Sequence, residues 1–84
     1  MPRERLPCVY ILASQRNGTL YVGVTSDLRT RLDQHNAGES SHTSKHMPWR
    51  IVTYVAFQTR MKAEEFERYL KSGSGHVFAR KRLW

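Results

Sequence analysis

The sequence predicts a small α+β (α/β) domain in which helices flank a three-stranded antiparallel sheet, in the order β-β-α-β-α-α. Two observations predict this class. Three short runs are rich in β-branched and aromatic residues, and longer segments repeat apolar residues at helical spacing. The 84 residues fit one domain, residues 1–84, with its core at about residues 8–75.

The first two strands are expected to form a hairpin. Residues 8–13 (CVYILA) and 19–24 (TLYVGV) are apolar and rich in β-forming residues. Between them, the pair Asn17-Gly18 is able to adopt positive φ, which is typical of a tight hairpin loop. We therefore expect the two strands to pair with each other directly.

The first helix follows the hairpin over residues 27–36 (DLRTRLDQHN). Thr25 or Ser26 offers an N-cap, and the carboxylate of Asp27 suits the positive end of the helix dipole. The helix is expected to stop near its last residue or at Gly38.

A polar loop and the third strand come next. Residues 37–48 (AGESSHTSKHMP) combine small polar residues with charges of both signs, which predicts a loop. Residues 49–57 (WRIVTYVAF) are again apolar and β-branched, which predicts the strand that completes the sheet.

Two further helices are expected after the third strand. Thr59 offers the N-cap of the longer one, over residues 60–72 (RMKAEEFERYLKS). Residues 76–84 (HVFARKRLW) predict a short helix anchored by Trp84. The two glycines between these segments are expected to end the longer helix: Gly73 and Gly75.

The chain is strongly basic, with 14 Lys and Arg against 7 Asp and Glu and a formal charge of +7. This excess favours a polyanionic partner, most simply nucleic acid. An anionic membrane surface is a competing interpretation, which no strongly basic amphipathic helix supports. A third interpretation is a charge that only keeps the protein soluble.

Cys8 is the single cysteine, so an internal disulfide and a cysteine-based zinc site are both excluded. We expect Cys8 to pack as a small buried hydrophobe. No stretch approaches the ~20 apolar residues of a membrane span, and the charged residues 1–7 lead into no signal-peptide segment. We therefore expect no membrane partner and a cytoplasmic location.

Two ionisable residues share the apolar face of the first helix. Leu28, Arg31, Leu32 and His35 recur at helical spacing, so Arg31 and His35 are expected to lie close to the sheet. Burying an arginine costs several kcal/mol unless it is paired. Local pairing at the edge of the core and participation in a functional site both remain open.

The second helix repeats this pattern with a carboxylate. Ala63, Phe66, Glu67 and Leu70 share one face. Glu67 is expected either to form a salt bridge to an inward arginine or to bind a hard divalent cation, whose remaining positions are filled by water and a phosphate.

The hairpin carries two tyrosines and an unexpected glycine. Tyr10 and Tyr21 lie in the two strands, where tyrosines usually pack. Gly23 lies inside the second strand, which it weakens, and such a glycine often marks the close approach of another backbone or a ligand. We expect Gly23 to leave room for a substrate.

Several short motifs follow one another along the chain. They are CVY at 8–10, YVG at 21–23, R-x-x-x-H-N-x-G at 31–38 and A-x-x-x-E-x-x-L-K at 63–71. Their order and spacing resemble the GIY-YIG nuclease family over nearly the whole chain. The short length is most similar to the stand-alone single-domain members, which resemble the nuclease module of the excinuclease C subunit.

The resemblance implies roles for five residues. Tyr10 and Tyr21 match the tyrosines of the two triads, and Arg31 matches the arginine that contacts the scissile phosphate. Glu67 matches the single metal-binding glutamate, so the implied cofactor is Mg²⁺ or Mn²⁺. His35 matches a position where some members place a catalytic histidine.

The sequence departs from the family pattern at the first triad, which reads Cys-Val-Tyr, and at Val24, where some members have a lysine. The general base is open between two assignments. We favour Tyr10 as base or proton relay with His35 assisting, and the alternative is His35 as the sole base.

The implied activity is a metal-dependent endonuclease acting on DNA, structure-selective or weakly sequence-specific, in DNA repair or recombination. The alternatives are a non-catalytic nucleic-acid-binding module and a protein-interaction module with an acidic partner. A targeting protein is a further expected partner, and the protein is expected to be a monomer or a weak dimer. Five residues are candidate nucleic-acid contacts: Gly23, Arg29, Lys45, Arg50 and Lys71.

Overall fold

The computed structural model describes residues 5–84 and confirms the predicted α+β class and element order. The expectation about a signal peptide falls partly on residues 1–4, outside this range. Within residues 5–84, no helix is long and apolar enough to cross a bilayer. The elements are β1 (Cys8–Ser14), β2 (Leu20–Thr25), α1 (Leu28–Asn36), a 3₁₀ turn (Ser44–His46), β3 (Trp49–Ala56), α2 (Arg60–Leu70) and α3 (Gly73–Arg82).

The sheet is antiparallel, in the order β2-β1-β3, so β1 is the central strand and β2 and β3 are its edges. All of β1 is buried, and its side chains alternate between the two faces. Val9 and Ile11 pack against α2 and α3, whereas Tyr10 and Leu12 pack on the α1 side together with Trp49. The core therefore has two layers, one on each face of the sheet.

The hairpin pairs β1 with β2 in direct register, as expected, with Tyr10 opposite Gly23. In the hairpin loop, Gly18 adopts positive φ, at 78°, and Asn17 does not. The loop closes through a 2.8 Å hydrogen bond from the Ser14 amide to the Thr19 carbonyl oxygen. The expected turn is therefore present, although its positive φ rests on the glycine and not on Asn17.

The N-cap of α1 differs from the prediction. Asp27 is the cap, and its Oδ1 accepts a 3.2 Å hydrogen bond from the Thr30 amide. Thr25 instead accepts from the Asp27 amide at 3.1 Å, which fixes the turn before the helix. An aspartate at the cap satisfies a free amide and also meets the helix dipole with its charge.

The glycines after α2 also differ from the prediction, because they begin α3 and do not end α2. Thr59 caps α2 as expected. The Ser72 hydroxyl then caps α3 by accepting from the Gly75 amide at 3.3 Å, so α3 starts at Gly73. A Cβ at Gly75 would collide with the Tyr69 carbonyl oxygen, so this glycine permits the close packing of the two helices.

Candidate active site

A chain of buried polar side chains connects the sheet to α1. The Tyr10 hydroxyl lies 2.9 Å from His35 Nε2, and His35 Nδ1 lies 2.7 Å from the Thr43 hydroxyl oxygen. Each of these residues is at most 1% exposed. Arg31 adds a weaker contact from the helix surface, with its Nε donating to the Tyr10 hydroxyl at 3.4 Å. Arg31 and His35 thus lie on the inward face of α1, as expected.

The direction of these hydrogen bonds follows from arginine having only donors. Tyr10 accepts from Arg31, so its own proton is free to go to His35 Nε2, and the other imidazole nitrogen then donates to Thr43. In this arrangement His35 is neutral. Burial, and then the positive charge of Arg31, lower the pKa of His35 and favour that neutral form.

Thr43 is held in place by residues that do not belong to this series of hydrogen-bonded side chains. Trp49 Nε1 donates to the Thr43 carbonyl oxygen at 3.0 Å. The Asn36 side chain in turn brackets the Trp49 backbone, accepting from its amide at 2.6 Å and donating to its carbonyl oxygen at 3.1 Å. The sequence did not reveal Thr43, because it lies in a polar loop where nothing marks one threonine as the buried partner of a histidine.

The two tyrosines have different environments. Burial raises the pKa of Tyr10 to about 12, against the opposing effect of the Arg31 hydrogen bond. With that pKa Tyr10 stays protonated near neutral pH, and at 1% exposure it is out of reach of water, which weighs against Tyr10 as the general base. Tyr21 is half-buried, with its ring centroid 6.1 Å from Tyr10 and 4.9 Å from His35.

Tyr21 opens onto a cleft of about 520 Å³ at the β2 edge of the sheet. We call this the edge cleft. Because β2 is an edge strand, the cleft receives side chains from both faces of the sheet. It is lined by Leu20, Tyr21, Val22, His42, Leu70, Lys71, Ser72, Gly73, His76 and Trp84.

Glu67 lies on α2, which packs on the sheet face opposite Tyr10. Its Oε2 accepts from Lys71 Nζ at 3.1 Å, and its side chain is 24% exposed. The ion pair is therefore with a lysine of its own helix and not with an inward arginine. Since Lys71 lines the edge cleft, this pair connects Glu67 to the same side of the molecule as Tyr21.

The donor set around Glu67 fits one kind of metal. Residues 5–84 contain no group of three or more His, Cys, Asp or Glu side chains that could enclose an ion. Mg²⁺ commonly keeps several waters and binds through one or two carboxylates together with substrate phosphates. A single accessible carboxylate fits that mode and does not fit a site made from protein side chains alone.

Gly23 has a different role from the one expected. It is buried, and a Cβ at this position would lie 2.5 Å from the Tyr10 hydroxyl oxygen and 2.6 Å from its Cζ. The glycine therefore makes room for the Tyr10 ring and not for a substrate. The close approach that the sequence indicated is real, but it is a contact within the protein.

The expected basic contacts are distributed over the molecule. Lys71 is the one member of this set that lines the edge cleft. Arg29 borders a separate groove between α1 and β3, and Arg50 lies exposed on β3, the opposite edge of the sheet. Lys45 is exposed in the 3₁₀ turn. The structure thus groups Lys71 with the candidate site and leaves the other three apart from it.

Comparison with known proteins shows that the chain is similar to the members of one protein family. Residues 6–81 match the model of the GIY-YIG catalytic domain. A UPF0213 protein of Cupriavidus pinatubonensis is 32% identical over 85 residues, covering 96% of this chain and 93% of its own length. The solution structure of a UPF0213 protein of Bacillus halodurans superposes with a TM-score of 0.54 at 27% identity, covering 92% of this chain and 85% of that one.

A second group of relatives is much longer. A structure-specific endonuclease subunit SLX1 homologue of Giardia intestinalis is 36% identical over 72 residues, which is 79% of this chain but 20% of that protein. The chain therefore spans about a fifth of such a relative. Because the domain model covers nearly all of the chain, and because the motif tyrosines, arginine and glutamate lie within that match, the chain belongs to the GIY-YIG family of nucleases.

Proposed function

We propose that this protein is a divalent-metal-dependent endonuclease that cleaves DNA at structural irregularities. The observation that carries the proposal is the edge cleft, which is lined by Tyr21 and Lys71, with Glu67 paired to Lys71 at 3.1 Å. A net charge of +7 supports a polyanionic substrate. The SLX1 relatives are named as structure-specific endonucleases, which supports structural selectivity.

The reaction is hydrolysis of a phosphodiester bond. A water oxygen forms a bond to phosphorus while the bond from phosphorus to the 3′ oxygen breaks, so the water loses a proton and the 3′ oxygen gains one. Tyr21 is the tyrosine with access to the cleft. We assign to its phenolate form the orientation of the water and the acceptance of its proton, which leaves Tyr21 as a neutral phenol. Tyr10 and His35 then support Tyr21 and Arg31 from the buried side.

Arg31 is assigned to a phosphate oxygen. Its Nε contacts Tyr10, and its Nη1 donates to the Gln34 side-chain oxygen at 3.0 Å. Its Nη2 takes part in neither of these two hydrogen bonds, so this nitrogen can donate to a phosphate oxygen. The two existing contacts fix the plane of the guanidinium before the substrate arrives, which lowers the entropy cost of binding.

Glu67 would hold the metal ion, Mg²⁺ or Mn²⁺, which when bound supplies positive charge to a phosphate oxygen and to the departing oxygen. Lys71 then has to release the Glu67 carboxylate. Because the pair is partly exposed, that release costs little. The freed ammonium stays beside the cleft, where it can contact a neighbouring phosphate.

A role in DNA repair or recombination, with a second protein that selects the site, is part of the same proposal. Relatives of the SLX1 group are described as subunits, which supports a partner. The exposed basic residues away from the cleft would then bind the DNA backbone without reading its sequence.

The test compares two glutamates of α2. Glu67→Gln removes the proposed ligand, whereas Glu64→Gln removes a carboxylate that pairs with Arg60 at 3.3 Å on the same helix. In a nicking assay on branched and linear DNA with Mg²⁺, Glu67→Gln is expected to lose more than about a hundredfold in rate, and Glu64→Gln to keep the wild-type rate. Equal activity in all three proteins, or binding without cleavage by the wild type, would contradict the proposal.

A further inference from the structure

We propose that the edge cleft holds one unpaired nucleotide of the substrate, with its base stacked on Trp84 and its phosphate beside Lys71. The enzyme would then prefer phosphodiester bonds next to a flap or a gap over those in continuous duplex. This inference rests on the proposed nuclease function and adds a base-binding subsite to it.

The size and position of the cleft suit a nucleotide. Its volume of about 520 Å³ lies within the range of pockets that hold small organic molecules, roughly 300–1,000 Å³. Tyr21 lies on one side of it and α3 on the other. A nucleotide in the cleft would therefore be covalently connected to the phosphate that reaches Tyr21, so base binding and bond cleavage would concern neighbouring positions of one strand.

The far wall offers a fixed aromatic surface. Trp84 is half-buried, and its backbone amide donates to the Ala79 carbonyl oxygen at 3.0 Å. Its ring lies 5.8 Å from the His76 ring in an edge-on arrangement. The backbone of Trp84 is thus anchored to α3, and the indole packs against His76 and the core cluster while part of it remains exposed. Stacking on such a ring binds any of the four bases, because each has a π face.

The charges of the lining also favour a nucleotide. None of the residues that line the cleft is an Asp or a Glu, and Lys71 contributes a cation at its rim. The remaining lining includes three aliphatic side chains, Leu20, Val22 and Leu70, which suit the faces of a base and not an inorganic ion. An aromatic wall, an apolar floor and one cation together match a base and its phosphate.

Base pairing in the DNA substrate determines which nucleotides can enter the edge cleft. A base inside a duplex is stacked and hydrogen-bonded, so it has to be extruded before it can contact Trp84, and the cost is least for bases that are already unpaired. The cleft would therefore add affinity for flapped or gapped DNA and none for intact duplex. This supplies a physical basis for structural selectivity in a domain of only 84 residues.

Binding without metal tests the subsite separately from catalysis. The probes are a flapped DNA carrying 2-aminopurine in its first unpaired position and the matching duplex, both titrated in EDTA. The proteins are wild type, Trp84→Leu, His76→Ala and the control Tyr54→Leu. Tyr54 is an aromatic residue that is 58% exposed on β3, at the opposite edge of the sheet.

We expect Trp84→Leu to weaken binding of the flapped probe about tenfold and to abolish the change in 2-aminopurine fluorescence, with duplex binding unchanged. His76→Ala should weaken flap binding by about threefold, and Tyr54→Leu should behave as wild type. His76 is exposed, so its variant remains informative if the loss of Trp84 impairs folding. Equal flap affinity in wild type, Trp84→Leu and His76→Ala would overturn the subsite.

The outcome separates the two proposals. Trp84-dependent binding of the flap, in a protein that cleaves no DNA with Mg²⁺, would support the subsite and contradict the nuclease function. Cleavage that depends on Glu67 but shows the same flap-to-duplex ratio in wild type and Trp84→Leu would support the nuclease and overturn the subsite.

Discussion

The Tyr10 hydroxyl and His35 Nε2 lie 2.9 Å apart in the interior of the protein, and neither side chain is more than 1% exposed. This pair joins β1 to α1 beside Tyr21 and Arg31. Its burial indicates that it positions its neighbours. Tyr21 and Arg31, which contact it and also reach the surface, are the groups that can meet a substrate.

The two motif tyrosines should therefore respond differently to loss of their hydroxyls. Tyr21→Phe is expected to lower the cleavage rate by about 10²–10⁴-fold, as for loss of a general base, with the free energy of unfolding nearly unchanged. Tyr10→Phe leaves His35 without its partner and should lower the free energy of unfolding by about 1–3 kcal/mol, with a smaller loss of rate. Urea denaturation and single-turnover cleavage measure the two effects.

The opposite pattern of effects would support Tyr10 as the general base. If Tyr10→Phe abolishes cleavage at wild-type stability while Tyr21→Phe remains active, Tyr10 acts on the water and its burial must be relieved when DNA binds. Wild-type melting behaviour of both variants is the control that separates a chemical effect from unfolding.

The sequence predicted elements and faces well. Helical spacing alone placed Arg31 and His35 on the inward side of α1, and composition located all three strands. These features depend on short stretches of chain, where periodicity determines which side chains point to the core.

Contacts between distant segments were less predictable. Gly23 is a glycine because of Tyr10 on the neighbouring strand, and His35 is satisfied by Thr43 of a polar loop. The burial that raises the pKa of Tyr10 arises only when α1 covers its face of the sheet. Such effects depend on tertiary packing, which a local pattern does not report.

His35 should make the stability of the protein depend on pH near neutrality. Burial, and then the charge of Arg31, lower its pKa in the folded state below the value of about 6.5 in the unfolded chain. Between these two values the unfolded state binds more protons, so the free energy of unfolding falls as pH drops below about 6.5 and is restored above it.

Urea denaturation at pH 5 and pH 7.5 measures this effect, with His35→Gln as the comparison. The variant is expected to be less stable at pH 7.5 and to lose the part of the pH dependence that His35 contributes. A wild-type protein that is equally stable at both pH values would show that His35 accepts a proton in place without cost, contrary to its burial.

Tyr10 should produce a second dependence at high pH, with the opposite sign. Its pKa is raised to about 12 in the folded state, against about 10 in the unfolded chain. The folded state therefore retains the proton longer, and stability is lost as pH rises from about 10 to about 12, by roughly 3 kcal/mol in total. Absorbance of tyrosinate should show one late-titrating phenol, which is absent in Tyr10→Phe. Titration of every tyrosine in one step near pH 10, without unfolding, would contradict the buried placement.

Two glycines provide a matched test of packing around the site. A Cβ at Gly23 would lie 2.5 Å from the Tyr10 hydroxyl oxygen, whereas a Cβ at Gly73 meets nothing within 4 Å. Because Tyr10 is held by Arg31 and His35, its ring cannot move aside freely. Gly23→Ala is therefore expected to destabilise the protein by about 1–3 kcal/mol, and Gly73→Ala, at the start of α3, to be neutral or to stabilise by up to about 1 kcal/mol.

Combining Gly23→Ala with Tyr10→Phe tests whether the clash is the cause. Removing the hydroxyl relieves the shortest contact but leaves Cζ at 2.6 Å, so the double variant should lose less stability than the sum of the two single variants while remaining below wild type. Additive losses in urea denaturation would show that Gly23→Ala acts through the strand backbone alone. In that case the glycine would be required by β2 itself and not by the ring that lies across it on β1.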